Sequence, residues 1–378
     1  MLDQPIGAGA LVVYDVVIIG GGVSGLTFAY ECEKFDISCL VLEASERLGG
    51  CVHSYPNLDG MAEIELGAHT LYSSYAKCIE LIETFDLQIK DVTQKKILVK
   101  SDIDDHPRSL FRNLRFFSAL LAFSSSIVRN HGIPRLGDEP MLLASLSNMV
   151  GTRNMISFFK PLLRALYNQS PEGLPSDLFL KARRRSKKIG YPKKFTLAGG
   201  IESLIQALAT RVHYKLQSRA EAIQAGELFL VKTRSETYWC RSLVFAIPAS
   251  SLAQFPELVE QTGYGGTANF ETSVLRRLPE DLPAIVAFDS AIAYSEIIQR
   301  SDDSNKVCHH PSKLDLNSKI FLKQQQLPDL SNRVGCHVKK PNVYLIGNHF
   351  SGLALEDCVA YAHDVFLNFK TIHASRAL

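Results

Sequence analysis

The sequence predicts an α/β protein: a doubly wound parallel sheet assembled from separated stretches of chain, with a second domain made of a helical insertion and a small sheet. Three observations carry this expectation. Short apolar, β-rich runs stand at the front, the middle and the end of the chain ("YDVVII", "RSLVFAIPA", "NVYLIG"). The first of them opens into glycines followed by apolar residues at helical spacing. The stretches between them change texture, first helical and then polar and irregular.

Taken in order, "YDVVIIGGG" reads as a buried parallel strand, "VSGLTFAYECEKF" as a helix and "ISCLVLEAS" as a second buried strand, which together make a βαβ unit. From about 105 to 190, "RSLFRNLRFFSALLAFSSSIV" and "MISFFKPLLRALYNQ" read as helices punctuated by Pro107, Pro134 and Pro161. "TLAGGIESLIQALATRV" is a glycine turn and an amphipathic helix, and 251–335 carries only weak strands such as "PAIVAF". The final segment is a strand, a glycine loop and a terminal helix. The expected division is a nucleotide-binding domain built from 1–80, 191–250 and 336–378, with 81–190 and 251–335 forming the substrate domain.

Composition narrows the function classes. The 378 residues are 46% hydrophobic and 21% charged, and 41 basic against 39 acidic residues give a net charge of +2, so nothing global favours nucleic acid. The basic run "KARRRSKK" (181–188) reads as a solvated face. Eight scattered cysteines without a CxxC pair fit reduced thiols, and "CHHP" (308–311) lacks the second half of a metal site, so no metal is expected. Neither a signal-peptide pattern nor an apolar run of spanning length is seen, so the cytoplasm is the default location.

Gly20, Gly22 and Gly25 form G-x-G-x-x-G between a strand and a helix, with Val23 and Ser24 inside the motif. In that context the first glycine allows a tight turn, the second lets backbone approach a pyrophosphate, and the third lets helix and strand pack. Glu43, followed by Ala44, ends the second strand where an acid accepts hydrogen bonds from a ribose diol. Glu43, Arg47, Gly49 and Gly50 continue as E-x-x-x-R-x-G-G. A nicotinamide dinucleotide does not require this second glycine pair, whereas a longer flavin dinucleotide must run past more close backbone. Arg47 is expected to offer a charge-assisted contact near the phosphates. Non-covalent FAD is therefore the expected cofactor.

With these motifs the chain resembles the flavin-dependent amine oxidase superfamily, through "VVIIGGGVSGL", "LEASERLGG", "ELGAHTLY", "TLAGGIESLIQALA", "LVFAIPA" and "NVYLIGNHFSGLALEDCV". The resemblance implies a discontinuous FAD domain, with Gly67, Ala68 and His69 beside the flavin ring and Ala220 where backbone meets adenine. It also implies Gly347 and Asn348 near the ribityl chain or pyrophosphate, and the segment with Gly352, Leu353 and Ala354 under the flavin. The closing block is most similar to that of protoporphyrinogen oxidases. It lacks the acid after the first glycine, and the aromatic near Leu353, that amine oxidases usually carry. Cys51 stands where many relatives have arginine, and the chain is short for the superfamily in 251–340.

The resemblance implies hydride transfer to flavin N5, a step the cofactor itself performs, so no obligatory side-chain base is expected. His69 is the catalytic candidate among the titratable residues, and the bland alternative is that it hydrogen-bonds backbone. Glu356 and Asp357 are expected to complement the dipole of the last helix, and His349 to point away from the cofactor. The helix at 114–128 reads as a core or pocket-roof helix; the alternative is a peripheral membrane contact admitting an apolar substrate. The leading expectation is a protoporphyrinogen oxidase-like enzyme dehydrogenating a cyclic CH–NH or CH–CH small molecule. The alternatives are an amine oxidase acting on a secondary-metabolite amine or imine, and a flavin-binding protein without catalysis.

Overall fold

The computed structural model describes residues 12–56, 63–65, 67–68, 70–91, 97–100, 108–109, 114–129, 142–160, 163, 187–262, 267–275, 285–288, 296–299, 306–311, 319–328, 335–352 and 354–374. Its central sheet contains β1 (Val13–Ile19), β2 (Cys39–Leu42), β3 (Thr237–Phe245) and β4 (Val343–Leu345). The parallel order is Tyr214–Lys215, β2, β1, β3, with β4 beside the carboxyl half of β3. The amino half of β3 pairs antiparallel with Phe229–Lys232, which continues to Ala222–Ala225. Strands from the front, the middle and the end of the chain thus share one sheet.

The register explains why these strands read as continuous apolar runs. Val16, Ile18, Val41 and Val244 belong to one core cluster, while Val17, Ile19, Leu40, Leu42, Leu243 and Phe245 belong to another. Alternate residues therefore serve two cores, and a sheet covered on both faces has no place for polar alternation. Four helices supply the first core: α1 (Val23–Glu33), α2 (Ala76–Thr84), α4 (Glu202–Ala209) and α5 (Leu355–Ala374); α3 is the helix Leu114–Arg129. Helix α1 is buried almost all round, so it shows little amphipathic bias, and Phe28 packs against Phe366 and Phe369 of α5 at ring-centroid distances of 5.6 and 5.5 Å.

A second seven-stranded sheet runs in the order Lys319–Pro328, Thr267–Leu275, Lys306–Pro311, Glu296–Gln299, Ile285–Phe288, Ile97–Lys100 and Arg108–Ser109. The sequence reads 251–335 as weakly stranded, and the strands there are longer than that reading suggests. Strands of 9 and 10 residues, "TANFETSVL" and "KIFLKQQQLP", stand where the sequence reads as irregular. Antiparallel strands carry polar residues on one face, so they lack the continuous apolar signal of the central sheet. The helical insertion also contributes to this sheet: Ile97–Lys100 pairs parallel with Ile285–Phe288.

Helix α3 departs from the favoured reading as a buried helix. Ala119 is buried, but Phe117, Leu120 and Leu121 are 46, 49 and 71% exposed. Among the described residues no helix is long and apolar enough to cross a membrane.

Candidate cofactor site

The carboxyl ends of β1, β2, β3 and β4 form one edge, and the glycine motifs lie along it. Gly20 receives the chain from β1 with φ of +110°, and a Cβ there would lie 2.5 Å from the Ala246 carbonyl oxygen. A Cβ on Gly25 would lie 2.0 Å from the Gly20 carbonyl, so α1 sits directly on the loop. Gly22 is different: a Cβ there would meet nothing within 4 Å. The protein's own packing occupies the first and third glycines and leaves the second facing open space. Gly22 is also the N-cap of α1, which has no side-chain cap and no acid in its first turn. The backbone N–H groups of Val23, Ser24 and Gly25 therefore lie beyond the helix's own acceptors and at its positive end. Ser24 offers backbone alone, because its hydroxyl turns to the Cys358 carbonyl at 3.5 Å.

The second loop lies against the first. The Gly49 N–H donates to the Gly21 carbonyl at 2.8 Å, Gly22 and Gly49 form an isolated bridge, and a Cβ on Gly50 would come within 3.4 Å of Gly22 Cα. Glu43 braces both loops: its Oε2 accepts the Gly21 N–H at 2.7 Å, and its Oε1 accepts the Ser45 N–H and hydroxyl at 2.8 Å each. Two carboxylate oxygens have about four lone-pair positions, so acceptor capacity remains for a diol. Exposed Ala44 follows it. The segment 217–218 is tied alongside by Gln217 N–H to Ser45 and Ser218 N–H to Glu43, at 2.9 and 2.8 Å, which brings buried Ala220 to the same edge.

Arg47 is engaged differently from the expected phosphate contact. Its Nη1 donates to the Leu48 and Val52 carbonyls at 2.8 and 3.1 Å, its Nη2 donates to Gly50 at 2.6 Å, and Glu202 lies 3.8 Å away. The guanidinium shapes the 48–52 turn. A carbonyl cage inside the arginine's own loop satisfies the charge locally, and nothing in the E-x-x-x-R-x-G-G spacing distinguishes that from reaching outward.

Further along the edge, Gly67 rests on the second loop, where a Cβ would lie 2.0 Å from the Cys51 carbonyl, and Ala68 packs on the core. Gly347 follows β4, which is tied in by the Ile346 N–H to Phe245 at 2.9 Å, and Gly347 also has nothing within 4 Å of its Cβ direction. Asn348 opens the one-turn helix Asn348–Ser351, then come Gly352 and half-buried Ala354. Burial pushes the neighbouring His349 imidazole down to about 4, so it is neutral near pH 7. His69 and Leu353 lie outside the described residues.

Three acids that sequence reasoning did not assign to the site hold its walls. Buried Glu65, two residues before Gly67, accepts the Ile201 N–H and the Ser54 hydroxyl, both at 2.7 Å. Glu202 accepts the Ser54 N–H at 2.7 Å, while Ser54 Oγ accepts the Glu202 N–H at 3.0 Å. Buried Glu356 accepts the N–H groups of Lys77 and Cys78, each at 3.0 Å, and so caps α2 from the first turn of α5. The available signal was an acid beside a glycine turn in an apolar block: "ELG", "GGIE" and "GLALE".

Fold and edge together define an α/β protein with a Rossmann-type sheet. The sequence profile of the NAD(P)-binding Rossmann-like domain family matches residues 18–84. The L-amino-acid oxidase of Bothrops atrox is 40% identical over 80 residues, covering 21% of this chain and 16% of that protein. The Probable flavin-containing monoamine oxidase A of Dictyostelium discoideum is 22% identical over 264 residues, covering 62% of this chain and 58% of that protein. Solved structures align along nearly the whole chain, among them the following two. A provisionally assigned protoporphyrinogen oxidase from Exiguobacterium sp. 255-15 gives a TM-score of 0.71 at 16% identity, covering 96% of this chain and all (100%) of that one. Cyclohexylamine oxidase from Brevibacterium oxydans IH-35A gives 0.65 at 13% identity, covering 95% and 100%. The matched segments span less than two thirds of the length of these curated relatives, and the two structures share the fold of this chain along nearly its whole length.

Proposed function

We propose that this protein is an FAD-dependent oxidoreductase that dehydrogenates a cyclic CH–NH or CH–CH small molecule, in the manner of a protoporphyrinogen oxidase. The observation that carries the reading is the open face of Gly22 at the capless start of α1, backed by Gly49 and Gly50. A pyrophosphate fits there because the second glycine leaves room and the helix start supplies N–H donors and dipole. Glu43 would hold the adenosine ribose, the backbone at 218–220 the adenine, and Gly67–Ala68 with 347–354 the flavin end. Bound FAD supplies the hydride-accepting ring; these residues bind, orient and shield it. His69 remains the candidate for a proton-handling residue.

The chain's own contribution to selectivity follows from the closing block, where the residue after Gly347 is Asn348 rather than an acid and position 353 is Leu rather than an aromatic. The residues 1–80, 191–250 and 336–378 are assigned to the cofactor half and 81–190 with 251–335 to the substrate half, a division that the two large sheets support. The exposed apolar residues of α3 support a peripheral membrane contact through 114–128.

The test is anaerobic mixing of the purified yellow protein with protoporphyrinogen IX and, separately, with a panel of cyclic and linear amines. Bleaching of the flavin by the porphyrinogen supports the proposal. Bleaching by amines alone favours the amine oxidase reading, which the fold shared with cyclohexylamine oxidase keeps in play. Bound flavin that no substrate reduces identifies a non-catalytic flavoprotein.

A further inference from the structure

We infer that the amino-end side of the central sheet carries a second small-molecule site, suited to a neutral heteroaromatic ring bearing a carboxamide. A cavity of about 310 Å³ opens there between the sheet and the last turns of α5. It is remote from the cofactor edge in the sense of the strands: Asp15 lies near the start of β1, and Asn342 immediately precedes β4.

Its base holds a hydroxyl that faces the cavity. Ser242 of β3 is 4% exposed, lines the cavity, and its hydroxyl makes no hydrogen bond among the described residues. With no partner among the described residues, this hydroxyl is open to the cavity and available to an incoming group. Asn342 stands beside it in the left-handed region at φ +66°, with its main-chain carbonyl held by the Leu243 N–H at 2.8 Å. The Asn342 side-chain amide likewise has no hydrogen bond among the described residues, so one donor–acceptor amide and one hydroxyl share the cavity.

Wall and charge select the ligand. Buried Phe369 meets Tyr344 edge-on at 5.5 Å and 90° and stacks on His373 at 5.5 Å and 24°, so the partly exposed rings of Tyr344 and His373 give an aromatic side for a flat ring. Arg241 Nη1 lies 3.0 Å from Asp15 Oδ1, while Asp15 Oδ2 also accepts the Ser38 N–H and hydroxyl at 3.1 and 2.8 Å. A cation and an anion already paired at the rim favour neither a carboxylate nor an ammonium over a neutral amide. The volume suits one or two fused rings and is at the small end for ligand pockets.

The test titrates the full-length protein, with its flavin content measured, against nicotinamide, using benzoate, benzylamine and toluene as charged and apolar controls. Saturable nicotinamide binding, stronger than that of the controls, is expected. Ser242→Ala should weaken it about tenfold, as the loss of one hydrogen bond implies, with flavin content unchanged. Asn342→Gly, which keeps the left-handed backbone accessible, should weaken it likewise and carries the test if Ser242→Ala does not fold. No nicotinamide binding, equal binding by both variants, or preference for a control would overturn the assignment. Because flavin content is followed separately, failure here is distinguishable from failure of the flavin reading.

Discussion

Gly49 donates its backbone N–H to the Gly21 carbonyl over 2.8 Å, so the two glycine-rich loops are one structure rather than two. The consequence is a division of labour among glycines that a motif does not reveal. Gly20 and Gly25 are required by the protein's own atoms, whereas a Cβ at Gly22 would meet none of them.

That division separates folding from cofactor retention. Gly22 has an ordinary φ of −74° and an unobstructed Cβ direction, so Gly22→Asp should fold with a melting temperature close to the parent's apoprotein. It should nevertheless purify without flavin, since its carboxylate would oppose the pyrophosphate at the helix start. Gly25→Ala should fail earlier, at folding, because its methyl group would sit 2.0 Å from the Gly20 carbonyl. Absorbance at the flavin bands together with thermal melts of both variants checks the pair; full flavin in Gly22→Asp would remove the pyrophosphate from this site.

Glu43→Ala should cost both affinity and loop order. Loss of a charged hydrogen bond to ribose corresponds to roughly 1.5–3 kcal/mol, or about 10- to 150-fold in the FAD dissociation constant. The same substitution strips the acceptor from the Gly21 and Ser45 N–H groups, so the apoprotein should also melt lower. Flavin titration of the apoprotein measures the first effect and calorimetry the second. Unchanged FAD affinity with lowered stability would leave Glu43 as a brace alone.

Glu356→Ala should destabilise the fold by about 3 kcal/mol, because two helix-start N–H groups lose their shared acceptor in a buried setting. Glu356→Gln keeps one acceptor oxygen and should lose less. Chemical denaturation of the two variants gives the comparison, and equal stabilities for parent and Ala variant would show that α2 is capped by other means.

What the sequence made legible, and what it hid, follows from distance along the chain. The β1–loop–α1–β2 unit is local, and its apolar runs are continuous because two cores claim alternate residues, so both its fold and its glycines can be read directly. Glu65 and Glu356 bond N–H groups 136 and 278 residues away, respectively, and no local pattern announces such a partner. Arg47 was legible as a charge and misleading as a contact, since carbonyls within its own turn satisfy it. The 251–335 strands read only weakly, with "PAIVAF" the clearest, because half-polar antiparallel strands resemble loops in composition.

Burial pushes His349 from 6.5 down to about 4, so the folded protein resists protonating a ring that the unfolded chain protonates readily. Its folded value lies below its unfolded one. The associated stability is therefore fully present above pH 6.5 and is lost as pH falls through that value toward about 4, below which no further loss accrues. At about 1.4 kcal/mol for each pH unit of difference, the loss across the window is about 3 kcal/mol. His349→Gln, which cannot titrate, should flatten the stability profile between pH 6.5 and 4 relative to the parent. Denaturant melts of both proteins at several pH values measure the two slopes. Parallel profiles would mean that His349 is protonated without penalty in the folded state, and that the one-turn helix it belongs to opens more readily than its burial implies.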